Sequence, residues 1–196
     1  MVKNSTSESN EKTVILYSDG ACIGNPGPGG YAALVKVNRE ELVIQSGFSK
    51  TTNNRMELLA VIEGLTLLAK PATVIVYSDS RYLVETMQAK KPIVWKESGW
   101  KRGKRCIPNS DLWEQLLQLC SIHSVHFEWV RGHAGNPYNE KVNMLAQQAS
   151  RQSELPQDPG YLDDLEVRDR NSTQLELFEL KDQKISFPNL SNQKIV

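Results

Sequence analysis

Along the chain, apolar residues first alternate or run together over short spans and then switch to a longer period. Thr13-Val-Ile-Leu-Tyr-Ser-Asp-Gly20 is β-rich and ends in an Asp–Gly turn signal. A Gly/Pro-rich loop over residues 24–30 follows. Two more β-rich runs come next, Tyr31–Val37 and Leu42–Phe48, separated by the polar turn of residues 38–41. Such short connections predict an antiparallel meander. From Asn54 to Lys70, Met56, Leu59, Ala60, Ile62, Leu65, Leu67 and Leu68 approximate a helical stripe, which Pro71 ends. Thr73–Ser78 is almost continuously apolar, as a central parallel strand would be. Ser80–Gln88 resembles a short helix. Asp111 is placed to cap a helix carrying Leu112, Leu116, Leu117 and Cys120. Val125–Val130 reads as a last strand and Asn139–Ser150 as a last helix. The order predicts an α/β fold: one five-stranded mixed sheet, strands one to three antiparallel, four and five parallel to the first, with helices on its faces.

Composition divides the chain into three parts. Residues 1–11 are polar and read as a disordered extension, and residues 12–150 as one domain. Residues 151–196 read as an acidic, flexible tail, its first part (151–173) a linker with two prolines and sparse apolar residues. No apolar run approaches the ~20 residues of a membrane span, and no signal-peptide core is present. Cys22, Cys106 and Cys120 show neither a disulfide framework nor a zinc spacing, which makes a cytoplasmic setting the expectation. A monomer is expected, since no helical seam is left over.

Net charge is zero, but the average hides an asymmetry. Residues 1–150 carry 17 basic and 14 acidic side chains, and residues 151–196 carry 6 and 9. Within 90–105, Lys90, Lys91, Lys96, Lys101, Arg102, Lys104 and Arg105 are opposed by Glu97 alone, with Trp95 and Trp100 interleaved. A charge run is ordinarily a solvated face. Aromatic residues among cations shift the reading toward a polyanionic partner, a nucleic acid.

Three acidic residues stand where a sheet puts functional groups. Asp19 ends the first strand, Asp79 ends the fourth, and Glu57 lies in the first turn of the long helix. If the first and fourth strands are parallel neighbours, both aspartates emerge at one sheet edge. Clustered carboxylates repel unless a cation neutralises them, and oxygen ligands of this kind suit Mg²⁺ or Mn²⁺. Taken singly, each aspartate is better read as a turn or cap residue.

The surrounding residues decide between these readings. Tyr17-Ser-Asp-Gly-Ala-Cys22, Gly24-Asn-Pro-Gly-Pro-Gly-Gly-Tyr31, Thr51-Thr-Asn-Asn-Arg-Met-Glu-Leu58, Tyr77-Ser-Asp-Ser80, Asp111-Leu-Trp113 and Trp129-Val-Arg-Gly-His-Ala-Gly135 resemble, in order, the bacterial-type ribonuclease H of type 1. The resemblance implies a ribonuclease H-like fold and cleavage of the RNA strand of RNA–DNA hybrids with two Mg²⁺ ions, Mn²⁺ substituting. It implies 5′-phosphate and 3′-hydroxyl products, as in primer and R-loop removal. Asp19, Glu57 and Asp79 would hold the metals and His133 would move a proton or help release product. Cys22, Asn25, Asn53 and Asn54 would read the minor groove, where ribose 2′-hydroxyls mark RNA. Thr52 would take a DNA-strand phosphate, and Trp95, Lys96, Trp100 and Lys101 belong to a segment resembling the family's basic protrusion.

One position departs from the pattern. The family's fourth acidic ligand matches Asn143, a neutral amide, so the site is expected to be one charge short; Glu140, three residues earlier, is a partial substitute on the same helical face. This keeps open a weakly active or inactive hybrid-binding module. A DNA-cutting nuclease of the same fold is the third reading. In the tail, Gln174-Leu-Glu-Leu-Phe178 resembles the peptide by which bacterial proteins dock on the sliding clamp, with Gln174 as a polar head and Leu175, Leu177 and Phe178 as anchors.

Overall fold

The computed structural model describes residues 13–162. The peptide at 174–178 and the 1–11 extension lie outside them. Strands β1 (Val14–Cys22), β2 (Gly27–Val37), β3 (Glu40–Thr51), β4 (Thr73–Ser78) and β7 (Ser124–Trp129) form one sheet in the order β3-β2-β1-β4-β7. The first three are antiparallel, and β4 and β7 run parallel to β1. The predicted five-stranded mixed sheet is therefore the one observed. Alternation sorts its faces: Val14 and Leu16 of β1, and Val74 and Val76 of β4, are buried in the main core beneath α1 (Asn53–Thr66). α5 (Pro137–Ala149) covers the other face through Val142 and Ala146, which meet Ala32 and Leu34 of β2.

The remaining elements are α2 (Arg81–Gln88), α3 (Lys91–Glu97), the two-residue strands β5 (Lys101–Arg102) and β6 (Arg105–Cys106), and α4 (Ser110–Ile122). α3 and the β5–β6 ribbon together carry the basic run as an arm. Trp95 and Trp100 are only half exposed and pack on the core, Trp95 meeting Trp113 edge-on with centroids 5.9 Å apart. They root the arm rather than simply displaying their rings from it. The apolar side chains the arm does expose are Ile93 and Val94.

Two expectations are corrected. Asp111 is not a cap, because the residue before α4 is Asn109 and no side-chain cap bond forms there. Its carboxylate instead takes two bonds from Arg55, at 2.9 and 2.7 Å. Likewise, residues 151–162 do not behave as a free linker. Pro156 C=O accepts from Ser49 N–H at 2.8 Å and from Ser49 Oγ at 3.1 Å. Asp158, 2% exposed, accepts from Arg55 Nε (2.6 Å), Arg55 Nη2 (3.0 Å) and Thr51 Oγ1 (2.6 Å). A buried guanidinium needs anionic partners, and the segment beyond α5 supplies one of its two. The compact unit accordingly runs through Tyr161, past the expected boundary at 150.

Candidate metal centre and its surroundings

The acidic trio is assembled by three elements. Asp19 lies near the end of β1, Asp79 directly after β4, and Glu57 one turn into α1. Because β1 and β4 are parallel neighbours, Tyr17 pairs with Tyr77, and the two Tyr-Ser-Asp tripeptides place both aspartates at one edge. Gly20 lets the helix come down on the strand, for a Cβ there would sit 2.5 Å from the Glu57 backbone nitrogen. One carboxylate oxygen from each of the three residues lies within 4.8 Å of the others.

Asp19 and Glu57 are each 5% exposed. Glu57 Oε1 accepts from Asn53 Nδ2 at 3.2 Å, while its buried Oε2 has no hydrogen-bond partner. Asp19 Oδ1 accepts from Gly20 N–H at 2.8 Å. Burial first, and the charge of Asp79 second, push the Asp19 carboxyl up to about 7. Burial, then Asp19 and Asp79, raise Glu57 well above the usual carboxylate range. An orphaned buried oxygen in an all-oxygen cluster that resists ionisation fits a hard divalent cation, which would supply the missing positive charge.

Asp79 is held from the β7 side. Its Oδ2 accepts from Asn139 Nδ2 (3.2 Å) and its backbone C=O from Trp129 Nε1 (3.1 Å). The loop after β7 passes against it, for a Cβ at Gly132 would lie 2.5 Å from Asp79 Oδ2. His133, next in sequence, is exposed with a left-handed φ of 53°. Asn139, which the sequence marks only as the start of the last helix, joins the site. It is 2% exposed and its Oδ1 has no partner. The signal available was its place one turn before Asn143 on the same helical face. Asn143 itself is half-buried, its Oδ1 accepting from Gln147 Nε2 at 2.9 Å. Glu140 turns to the loop instead, accepting from Gly135 N–H at 3.1 Å.

The predicted substrate residues surround this centre unevenly. Asn25 Oδ1 accepts from Asn53 N–H at 3.1 Å, tying the Gly/Pro loop to the start of α1, where Thr52 is the cap residue. Cys22 Sγ lies 3.5 Å from Gly27 O and 3.6 Å from Thr51 O. Asn54 opens into a cleft of about 710 Å³ shared with Tyr82, Trp95, Arg102, Arg105 and Asn109. Lys96 pairs with Glu114 at 2.8 Å, and Lys101 is exposed on the arm. No helix among the described residues is long and apolar enough to cross a membrane.

Comparison with known proteins agrees with this geometry. The RNase H family model matches residues 11–151. The chain is 48% identical over 152 residues to Ribonuclease H of Syntrophus aciditrophicus, covering 77% of this chain and 88% of that one. To Ribonuclease H of Rippkaea orientalis it is 49% identical over 151 residues, covering 76% and 93%. Among solved structures it resembles LC9-RNase H1, described as a type 1 RNase H with the type 2 active-site motif, at 34% identity, TM-score 0.65 and coverage of 80% and 82%. By family model, relatives and site geometry alike, the chain belongs to the ribonuclease H family.

Proposed function

We propose that this chain is an endonuclease that hydrolyses the RNA strand of RNA–DNA hybrids, using two Mg²⁺ ions that Mn²⁺ can replace. The single observation that carries the metal reading is the buried Glu57 carboxylate, whose Oε2 is unpartnered and one of whose oxygens lies within 4.8 Å of an oxygen of Asp19 and of Asp79. Asp19, Glu57 and Asp79 hold the ions, and Asn143 stands as a neutral fourth ligand. When bound, the ions supply Lewis-acid stabilisation of the scissile phosphate and of the charge on the entering and leaving oxygens.

The chain's own residues do the rest. Asn53 keeps Glu57 oriented, and Asn139 and Trp129 keep Asp79 in place. Cys22, Asn25, Asn53 and Asn54 present groups to the minor groove, where the 2′-hydroxyl distinguishes RNA. Thr52 takes a DNA-strand phosphate, and the basic arm holds that strand through Lys96, Lys101, Trp95 and Trp100. Water adds to phosphorus in line, the P–O3′ bond breaks, and the products carry 5′-phosphate and 3′-hydroxyl ends. His133, exposed beside Gly132, takes the proton that the water loses, and the departing 3′-oxygen takes one from solvent. The setting is primer and R-loop removal in the cytoplasm by a monomer, with Gln174–Phe178 docking a sliding clamp. A pull-down unaffected by Phe178→Ala would remove the clamp from this picture.

The neutral Asn143 favours, as a second reading, a hybrid-binding protein that cuts weakly or not at all. A uniformly labelled hybrid, assayed with Mg²⁺ and with Mn²⁺ beside duplex DNA of the same sequence, decides between them. The expected result is RNA-strand cutting that Asp19→Asn lowers about a thousandfold or more. Metal-independent binding without cutting sinks the enzyme reading, and cutting of duplex DNA sinks the hybrid specificity.

A further inference from the structure

Directly beneath the acidic edge lies a row of three aromatic rings. Tyr17 and Tyr77, register partners on β1 and β4, stack with centroids 5.2 Å apart and planes 22° from parallel. Tyr138, in the first turn of α5, stacks on Tyr17 at 5.1 Å and 24°. Lys36 of β2 closes the row, its Nζ lying 3.6 Å from the Tyr138 ring centroid and donating to the Tyr138 hydroxyl. Asn136 Oδ1 caps α5 by accepting from the Tyr138 and Asn139 N–H groups.

Two adjacencies connect this row to the metal centre. Each sheet tyrosine stands two residues before a metal-binding aspartate, Tyr17 before Asp19 and Tyr77 before Asp79. Tyr138 directly precedes Asn139, the amide that bonds Asp79. The α5 turn is thus seated on rings belonging to the same two strands that carry the cage. Its position across those strands is fixed by ring stacking rather than by flexible side chains, because aromatic rings are stiff and stack at a set separation. The loop that leads into this turn is more lightly held. His133 and Gly135 both have left-handed φ values, 53° and 84°, and Gly135 N–H is held by the exposed Glu140 side chain.

We propose that Tyr17, Tyr77 and Tyr138 are positioning residues, a stacked row that sets where the first turn of α5 sits across the sheet. The row thereby holds Asn139 on Asp79 and the His133 loop at the edge of the cage. Its kinetic consequence rests on the hybrid-cleavage reading; its structural consequence does not.

Tyr138→Ala and Tyr138→Phe test the proposal in the full chain. Amide hydrogen exchange is read at residues 133–140 without metal or substrate, and kcat and KM on the hybrid are read with Mg²⁺. In Tyr138→Ala, exchange at Asn139 and Glu140 should quicken by about tenfold or more while β1 and β4 stay protected. Its kcat should fall about tenfold with KM within about twofold, as misplacement of a positioned group does. Tyr138→Phe keeps the stack, loses only the hydroxyl and should match wild type in both readings. Unchanged exchange in Tyr138→Ala overturns the proposal, as does faster exchange with unchanged kcat. So does a Tyr138→Phe variant as impaired as Tyr138→Ala, which would assign the role to the Lys36 bond. Should Tyr138→Ala fail to fold, Tyr77→Ala at the far end of the row carries the same readings, and wild-type exchange there is equally fatal. The exchange arm decides the structural claim even if the wild-type chain cuts no hybrid.

Discussion

Asp19 and Glu57 sit buried side by side, and burial opposes their ionisation more than any partner in the chain favours it. Burial pushes the Asp19 carboxyl up from 3.8 to about 7, so in that window the folded state holds a proton the unfolded state has lost. Without metal, stability should therefore be highest below the window, fall as pH rises through it, and carry the full penalty above about 7. Glu57, shifted the same way, adds to the loss. Melting of the metal-free chain from about pH 4 to about pH 8 should show this decline, and Asp19→Asn should flatten part of it. An equal slope in the variant would contradict the assignment. The same protons compete with Mg²⁺, so ion affinity should weaken as pH falls. Asn143→Asp adds a carboxylate and should work in opposite directions on two readings. Mg²⁺ affinity should rise several-fold, with a faster rate at limiting Mg²⁺, while the metal-free melting temperature drops. Unchanged metal dependence and rate would show that the missing charge does not matter.

At the scale of elements, α1 is fixed at its first turn by Arg55, whose guanidinium is 2% exposed and shared between Asp111 of α4 and Asp158 beyond α5. Asp158→Ala leaves that charge half-matched and frees the buried Thr51 hydroxyl. Breaking a buried ion pair costs about 3–5 kcal/mol, which should lower the melting temperature by about 10 °C. A drop of a degree or two would mean that Asp111 alone suffices. This arrangement also shows what pattern reading reaches. Thr73–Ser78 was legible to the residue because a buried parallel strand is an unbroken apolar run. The acidic trio was legible because three motifs meet at one sheet edge. Asp158 was not, since a single aspartate among prolines carries no periodicity. Its counterpart did leave a trace: an arginine directly before the apolar stripe of a helix is a cation that burial would oblige to find anions. Asp111 was misassigned as a cap for a similar reason, an aspartate at a helix start being ambiguous until its partner is seen. The β5–β6 ribbon, two residues per strand, was too short for any pattern.

Over the whole molecule, a neutral total conceals a basic arm and an acidic C-terminal portion. The sheet is open, and β3 is one of its margins. β3 runs for twelve residues and exposes Leu42 and Val43, with Glu40, Glu41 and Lys50 as its charged guards. A long margin of this kind invites strand pairing between molecules. The bond from Ser49 N–H to Pro156 C=O then has a meaning for solubility as well as for stability, since it occupies a donor that another chain's strand would use. A chain ending at Arg151, close to the limit of the family match, should retain its sheet yet scatter light on standing, while one ending at Leu162 stays clear. Monodispersity of the shorter chain under the same conditions would refute this. A few residues past the last helix thus act as a guard against self-association, and a protease that reached Arg151 would release not only a tail but a surface that binds copies of itself.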